Sequence, residues 1–123
     1  MRVRSVLAAT MFVTACGGDG SVTVPPHTST NKTVDVFTVN AEFVDALDTI
    51  SVGDTVRWNF AIATDGLGHN VRFSPRGAGA PADIATAANP LKSGTVSRVF
   101  TTSGAFHYVC DLHGSMTGDI IVK

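Results

Sequence analysis

The chain lacks the features that mark several classes of protein. Only 15% of its 123 residues are charged, the formal net charge is −1, and Lys and Arg never form a run. Nucleic-acid binding depends on a basic patch or stripe, so we expect no nucleic-acid partner. The sequence has no internal repeat, and its length allows one domain and hardly two.

Long apolar runs are also missing. The apolar segment near the N-terminus covers about ten residues (6–15), which is too short for a membrane span. Arg2 and Arg4 precede it and Cys16 follows it, after small residues that resemble the lipobox of bacterial lipoproteins. We therefore predict a lipoprotein signal at 1–15 and lipidation of Cys16. The alternative is an ordinary secretory signal, with Cys16 incidental.

This signal predicts an exported protein on the periplasmic face of a bacterial membrane, held by a lipid anchor, or alternatively a soluble periplasmic protein. Inner and outer membrane are not distinguished. Residues 16–33 are rich in Gly, Ser, Thr and Pro and predict a flexible linker, in which His27 is a solvated residue.

Cysteine is scarce, since the chain has only Cys16 and Cys110. Two cysteines in an exported protein can indicate a disulfide. If Cys16 is acylated or removed, however, Cys110 is left alone. An unpaired thiol in an oxidising compartment is a liability unless something holds it. A bound metal would hold it.

Short β-patterned runs fill residues 34–123, and little helix is expected. They alternate apolar and polar residues or are rich in β-branched and aromatic ones, and they cover 34–39, 48–52, 55–60, 69–73, 95–101, 105–110 and 118–122. We expect a hairpin-type turn at Gly53-Asp54 and a position in the core for Trp58. Residues 82–88 are expected to form one or two helical turns within a long connection at 74–94. We predict an all-β, Greek-key sandwich of seven to eight strands.

Three candidate metal-binding residues lie between the last two predicted strands. Cys110, His113 and Met116 follow a C-x₂-H-x₂-M spacing, and His69 lies upstream in another predicted strand. Each alone is explained by core packing, but together two His, a thiolate and a weak Met are the donors of a blue-copper site. Alternation places Cys110 on the core face and His107 on the outer face.

Residues 50–58, 68–71 and 100–122 resemble the cupredoxins of the plastocyanin, pseudoazurin and amicyanin group, and the ligand loop has the short form found in amicyanin. The resemblance implies one type 1 copper ion, with His69, Cys110, His113 and Met116 as ligands. It also implies that Asn70 ties the two ligand loops together. The residue before the second His is usually Pro in the family, and here it is Leu112.

By the same resemblance, the edge of His113 faces solvent, and Leu112, Gly114 and Gly68 surround it with a small apolar patch. A redox partner (a cytochrome, an oxidase or a dehydrogenase) would dock there. The leading hypothesis is a monomeric, membrane-tethered electron carrier that cycles between Cu(II) and Cu(I).

Three alternatives belong to other classes. The first is periplasmic copper storage or delivery, which needs the ligands but not fast electron exchange. The second is an enzyme domain, which the missing His-x-His pairs and the single loop cysteine argue against. The third is a metal-free binding sandwich.

Overall fold

The computed structural model describes residues 31–123, and these form two packed β-sheets. The predicted all-β sandwich is confirmed. The predicted signal, the lipidation of Cys16 and the solvated His27 lie outside the described residues. No helix long and apolar enough to cross a membrane occurs between residues 31 and 123.

Residues 31–123 contain eight strands, which fall into two sheets of four. In chain order they are β1 (Thr33–Val39), β2 (Glu42–Val44), β3 (Leu47–Ile50), β4 (Thr55–Phe60), β5 (Arg72–Phe73), β6 (Gly94–Val99), β7 (Gly104–Val109) and β8 (Thr117–Val122). The first sheet has the order β2-β1-β4-β6 and the second β3-β8-β7-β5. The pairs β1–β4 and β3–β8 are parallel, and the other pairs are antiparallel.

The core lies between the sheets, where the alternation of the sequence places it. In β4, Val56, Trp58 and Phe60 are buried, whereas Arg57 is exposed. Tyr108 of β7 is also buried, and its ring meets Trp58 edge-on at a centroid distance of 5.6 Å. This contact joins the two sheets, so the prediction of Trp58 as a core residue is confirmed.

The turn at Gly53-Asp54 differs from its prediction as a hairpin. It joins β3 of the second sheet to β4 of the first, so it is a corner between sheets. The buried Asp54 carboxylate accepts hydrogen bonds from the backbone N–H groups of Ser51 and Lys32, both at 2.9 Å. These bonds link the corner to the segment that enters β1.

The predicted helical turns at 82–88 are wrong. Ile84 instead forms a β-bridge with Val71. The Arg98 side chain donates to the carbonyl oxygens of Ala82 at 2.8 Å and Asp83 at 3.0 Å. Backbone groups of this connection are therefore satisfied by neighbouring strands rather than by a helix.

Two strands differ from the prediction by more than one or two residues at their ends. The predicted strand 69–73 shortens to β5, with single bridges at His69 and Val71, and the three-residue β2 was not predicted.

Candidate metal centre

Cys110 follows directly after β7 and begins a tightly closed loop. The Cys110 N–H donates to the Met116 carbonyl, and the Met116 N–H donates to the His113 carbonyl, both at 2.9 Å. The side chains of Cys110, His113 and Met116 are all buried. The short spacing in the sequence thus becomes a compact loop at one end of the sandwich.

His69 approaches the loop from a separate part of the chain. Its backbone pairs with Leu91, through an N–H···O bond of 2.8 Å in one direction and 2.9 Å in the other. Gly68 permits this approach, because a Cβ there would lie 2.6 Å from the Leu91 carbonyl oxygen. The connection after β5 therefore holds His69 in place.

The fold brings His69, Cys110 and His113 into one buried cluster. One candidate ligand atom from each lies within 4.8 Å of the others. The Cys110 Sγ is 3.6 Å from the His113 Nδ1, and the two imidazole centroids are 4.9 Å apart. Both ring nitrogens of His69 are buried without a hydrogen-bond partner. Such orphaned groups are costly, and coordination to a metal by one of them would remove part of that cost.

Asn70 and Asp111 connect the two segments that carry the cluster. The Asn70 side-chain amide donates to the Asp111 carboxylate, and its carbonyl oxygen accepts from the Asp111 N–H, both at 2.9 Å. Arg72 adds an ion pair with the same carboxylate at 2.6 Å. Sequence reasoning missed Asp111 and Arg72, because nothing in their spacing of 39 positions marks them as a pair.

Asp65 is a second residue that sequence reasoning missed. Its carboxylate lies 3.0 Å from the Nε2 of His113, whose side chain is only 6% exposed. A hydrogen bond from the Leu67 N–H, with a smaller contribution from His113, lowers the pKa of Asp65. The expected bare imidazole edge is therefore covered by a carboxylate.

The surroundings of His113 also differ from the expected apolar patch. Gly68 is buried beneath Leu91, whereas Leu112 is half-buried and Gly114 is exposed. His107 lies outside the cluster, and its Nδ1 is 2.8 Å from Asp119.

The sequence profile of the copper-binding proteins of the plastocyanin/azurin family matches residues 30–123. The chain belongs to this family. The donor chemistry agrees with that membership, since a thiol and two imidazoles in a buried cluster suit copper. The site of this cupredoxin is a site for one type 1 copper ion, and electron transfer is the activity that such a site supports.

Solved structures show the same architecture. The reduced Cu(I) form of an amicyanin variant is 29% identical, with a TM-score of 0.56, and the match covers 74% of this chain and 82% of that one. Amicyanin from Paracoccus versutus is 24% identical, with a TM-score of 0.58 and coverages of 74% and 81%, which shows the fold alone.

A copper-containing nitrite reductase from Thermus scotoductus also shares the fold, at 24% identity and a TM-score of 0.55. That match covers 73% of this chain and 22% of the enzyme. No curated protein matches the chain by sequence.

The stability of the metal-free cupredoxin should depend on the protonation of His69. Burial lowers the pKa of His69 below its ordinary value of 6.5, and the neighbouring His113 adds to this shift. The Ala61 backbone oxygen and Asp65 oppose the shift, although Ala61 does not reach hydrogen-bond geometry. Below pH 6.5 the unfolded state therefore binds more protons than the folded state, and stability falls as the pH falls. The slope is at most about 1.4 kcal/mol per pH unit.

Denaturant unfolding of the metal-free protein between about pH 7 and pH 5 tests this expectation, with His69→Gln as the comparison. The stability of the wild type should fall more steeply than that of the variant. Parallel curves for the two proteins would contradict the assignment to His69.

Proposed function

We propose that this cupredoxin is an electron carrier in which one copper ion alternates between Cu(II) and Cu(I). The Cys110 thiolate, His69 and His113 would hold the ion, and Met116 would be a fourth, weaker ligand. The observation that supports the proposal most directly is the buried cluster of one thiol and two imidazoles, with Cys110 Sγ 3.6 Å from His113 Nδ1.

In this proposal the fold restricts the movement of the ligand side chains. Bound copper would supply the one-electron chemistry. The backbone bonds between Cys110, His113 and Met116 resist opening of the loop, and the pairing of His69 with Leu91 resists movement of the other segment. Burial keeps water away from the donors. A site that changes little between oxidation states needs little reorganisation for electron transfer.

Protein donors on all four sides would leave no open position for a substrate, so the proposed role is transfer rather than catalysis. We propose that a redox partner docks near His113. Leu67, 43% exposed, and Ile62, 56% exposed, lie in the chain segment that carries Asp65, and we propose that their apolar surface takes part in the docking. A small patch of this kind suits a brief encounter. The candidate partners are a cytochrome, an oxidase or a dehydrogenase.

The cellular setting in this proposal rests on the N-terminal sequence. A lipoprotein signal at 1–15, a lipidated Cys16 and a linker to residue 33 would place the domain, as a monomer, on the periplasmic face of a membrane. A soluble periplasmic protein is the alternative.

Copper titration tests the electron-carrier proposal. Residues 31–123, which contain the cluster, are titrated with Cu(II) under non-reducing conditions and followed by visible absorption and electron paramagnetic resonance. We expect an intense blue absorption and narrow copper hyperfine splitting at one copper per chain. Cys110→Ser should abolish both, because serine cannot supply the thiolate. His107→Gln is the matched control and should keep both, since His107 lies outside the cluster.

A colourless protein, or ordinary Cu(II) spectra, would rule out the electron carrier. Copper storage or delivery, or a metal-free binding module, would then remain. If the blue site forms, the electron self-exchange rate separates the carrier from a storage protein, because only the carrier needs fast exchange.

A further inference from the structure

The two nitrogens of the His113 ring face different groups. Nδ1 faces the Cys110 thiol at 3.6 Å, and Nε2 faces the Asp65 carboxylate at 3.0 Å. A neutral imidazole carries one N–H, and an ionised carboxylate can only accept a hydrogen bond. The proton therefore belongs on Nε2, where it donates to Asp65. The lone pair of Nδ1 is left directed at the cluster.

Asp65 is itself held by a turn. One carboxylate oxygen accepts from the Leu67 N–H at 2.8 Å, which leaves the other for His113. The Ala63 N–H donates to the Leu67 carbonyl at 3.2 Å, and the Gly66 N–H donates to the Ala63 carbonyl at 3.0 Å. The carboxylate is thus placed by its own loop.

We propose that Asp65 is a positioning residue for His113, which fixes the tautomer of the ring and lowers the reduction potential of the copper site. Carboxylates hydrogen-bonded to a ligand histidine orient the ring and raise its basicity. A negative charge beside the ligand also favours Cu(II), the more highly charged ion, over Cu(I). The part that concerns the potential rests on the proposed function, whereas the tautomer is a property of the chain alone.

The reduction potential tests the charge effect. Asp65→Asn removes the charge but keeps an oxygen that can accept from the Leu67 N–H. We expect the preference for Cu(II) over Cu(I) to fall by about tenfold, which raises the potential by about 59 mV for one electron. Glu42→Gln, which neutralises an exposed carboxylate on β2, is the control and should leave the potential within a small fraction of that shift. Equal shifts in the two variants, or none in Asp65→Asn, would overturn the charge effect.

The metal-free protein tests the tautomer without copper. Nitrogen-15 spectra of labelled histidine, taken at about pH 8 where imidazoles are neutral, report which ring nitrogen carries the proton. We expect His113 to be protonated on Nε2 in the wild type, with slow exchange of that proton. In Asp65→Asn the exchange should become fast, and an Nδ1-protonated population should appear.

A wild-type His113 protonated on Nδ1, or an Nε2 proton that exchanges equally fast in both proteins, would overturn the positioning role. These spectra keep their meaning if no blue copper site forms, so failure of this inference is distinguishable from failure of the proposed function.

Discussion

Replacing Gly118 with alanine is expected to reduce the free energy of unfolding by about 3 kcal/mol, because overpacking a filled core displaces its neighbours. A Cβ at this position would lie 2.7 Å from the Ala46 carbonyl oxygen and closer still to the Tyr108 ring. Gly118 is the cross-strand partner of Tyr108, and the Tyr108 hydroxyl donates to the same Ala46 carbonyl. Denaturant unfolding of the metal-free protein measures the loss.

Gly114→Ala is the matched control for this prediction. Gly114 lies in the ligand loop, and a Cβ there would meet nothing within 4 Å. The same chemical change should therefore alter the unfolding free energy by about 0.5 kcal/mol or less. If Gly118→Ala were as mild as Gly114→Ala, the phenol of Tyr108 could move aside, and the packing between β7 and β8 would be looser than the structure shows.

The fold could be predicted wherever alternation alone decided the outcome. β4 has the predicted bounds, because six residues with a buried apolar face specify both the strand and its register. The corner at Gly53-Asp54 could not be predicted as such, because a local turn signal does not say which sheet the next strand joins. Residues 82–88 have a composition that permits helix, but the tertiary partners Val71 and Arg98 bind their backbone instead.

In the candidate site, too, a local sequence pattern predicts some residues and gives no indication of others. Cys110, His113 and Met116 could be named as candidate donors because their spacing within one loop is itself the signal. Asp65 and Asp111 gave no such signal, because their partners are brought close by loops from elsewhere in the chain. Candidate metal ligands are thus easier to name from a sequence than the residues that would orient them.

The Asn70 side chain links the two ligand segments through Asp111, so it should matter both to stability and to metal binding. Asn70→Ala removes both side-chain hydrogen bonds to Asp111 and empties a site that is only 1% exposed. We expect the free energy of unfolding to fall by about 2–3 kcal/mol, because one bond involves a charged partner and the Asp111 N–H loses its acceptor. Denaturant unfolding of the metal-free protein measures this loss.

The same substitution should weaken copper binding by about tenfold or more, since partners that orient a ligand segment typically contribute 10- to 100-fold to metal affinity. His69 is adjacent to Asn70 and Cys110 is adjacent to Asp111, so loosening the amide lets the two donors drift apart. Competition with a chelator of known affinity measures the change in metal affinity.

Arg72→Ala distinguishes the contribution of the buried Asn70 amide from that of the exposed ion pair between Arg72 and Asp111. Both side chains contact the same Asp111 carboxylate, and this variant removes only the ion pair. Arg72 is 43% exposed, and exposed ion pairs contribute about 1 kcal/mol or less. This variant should therefore lose little stability and bind copper almost as tightly as the wild type. If it lost as much as Asn70→Ala, the charge of Arg72 rather than the Asn70 amide would join the two ligand segments. If neither variant lost copper affinity, the backbone pairing of His69 with Leu91 would be sufficient to place the donors.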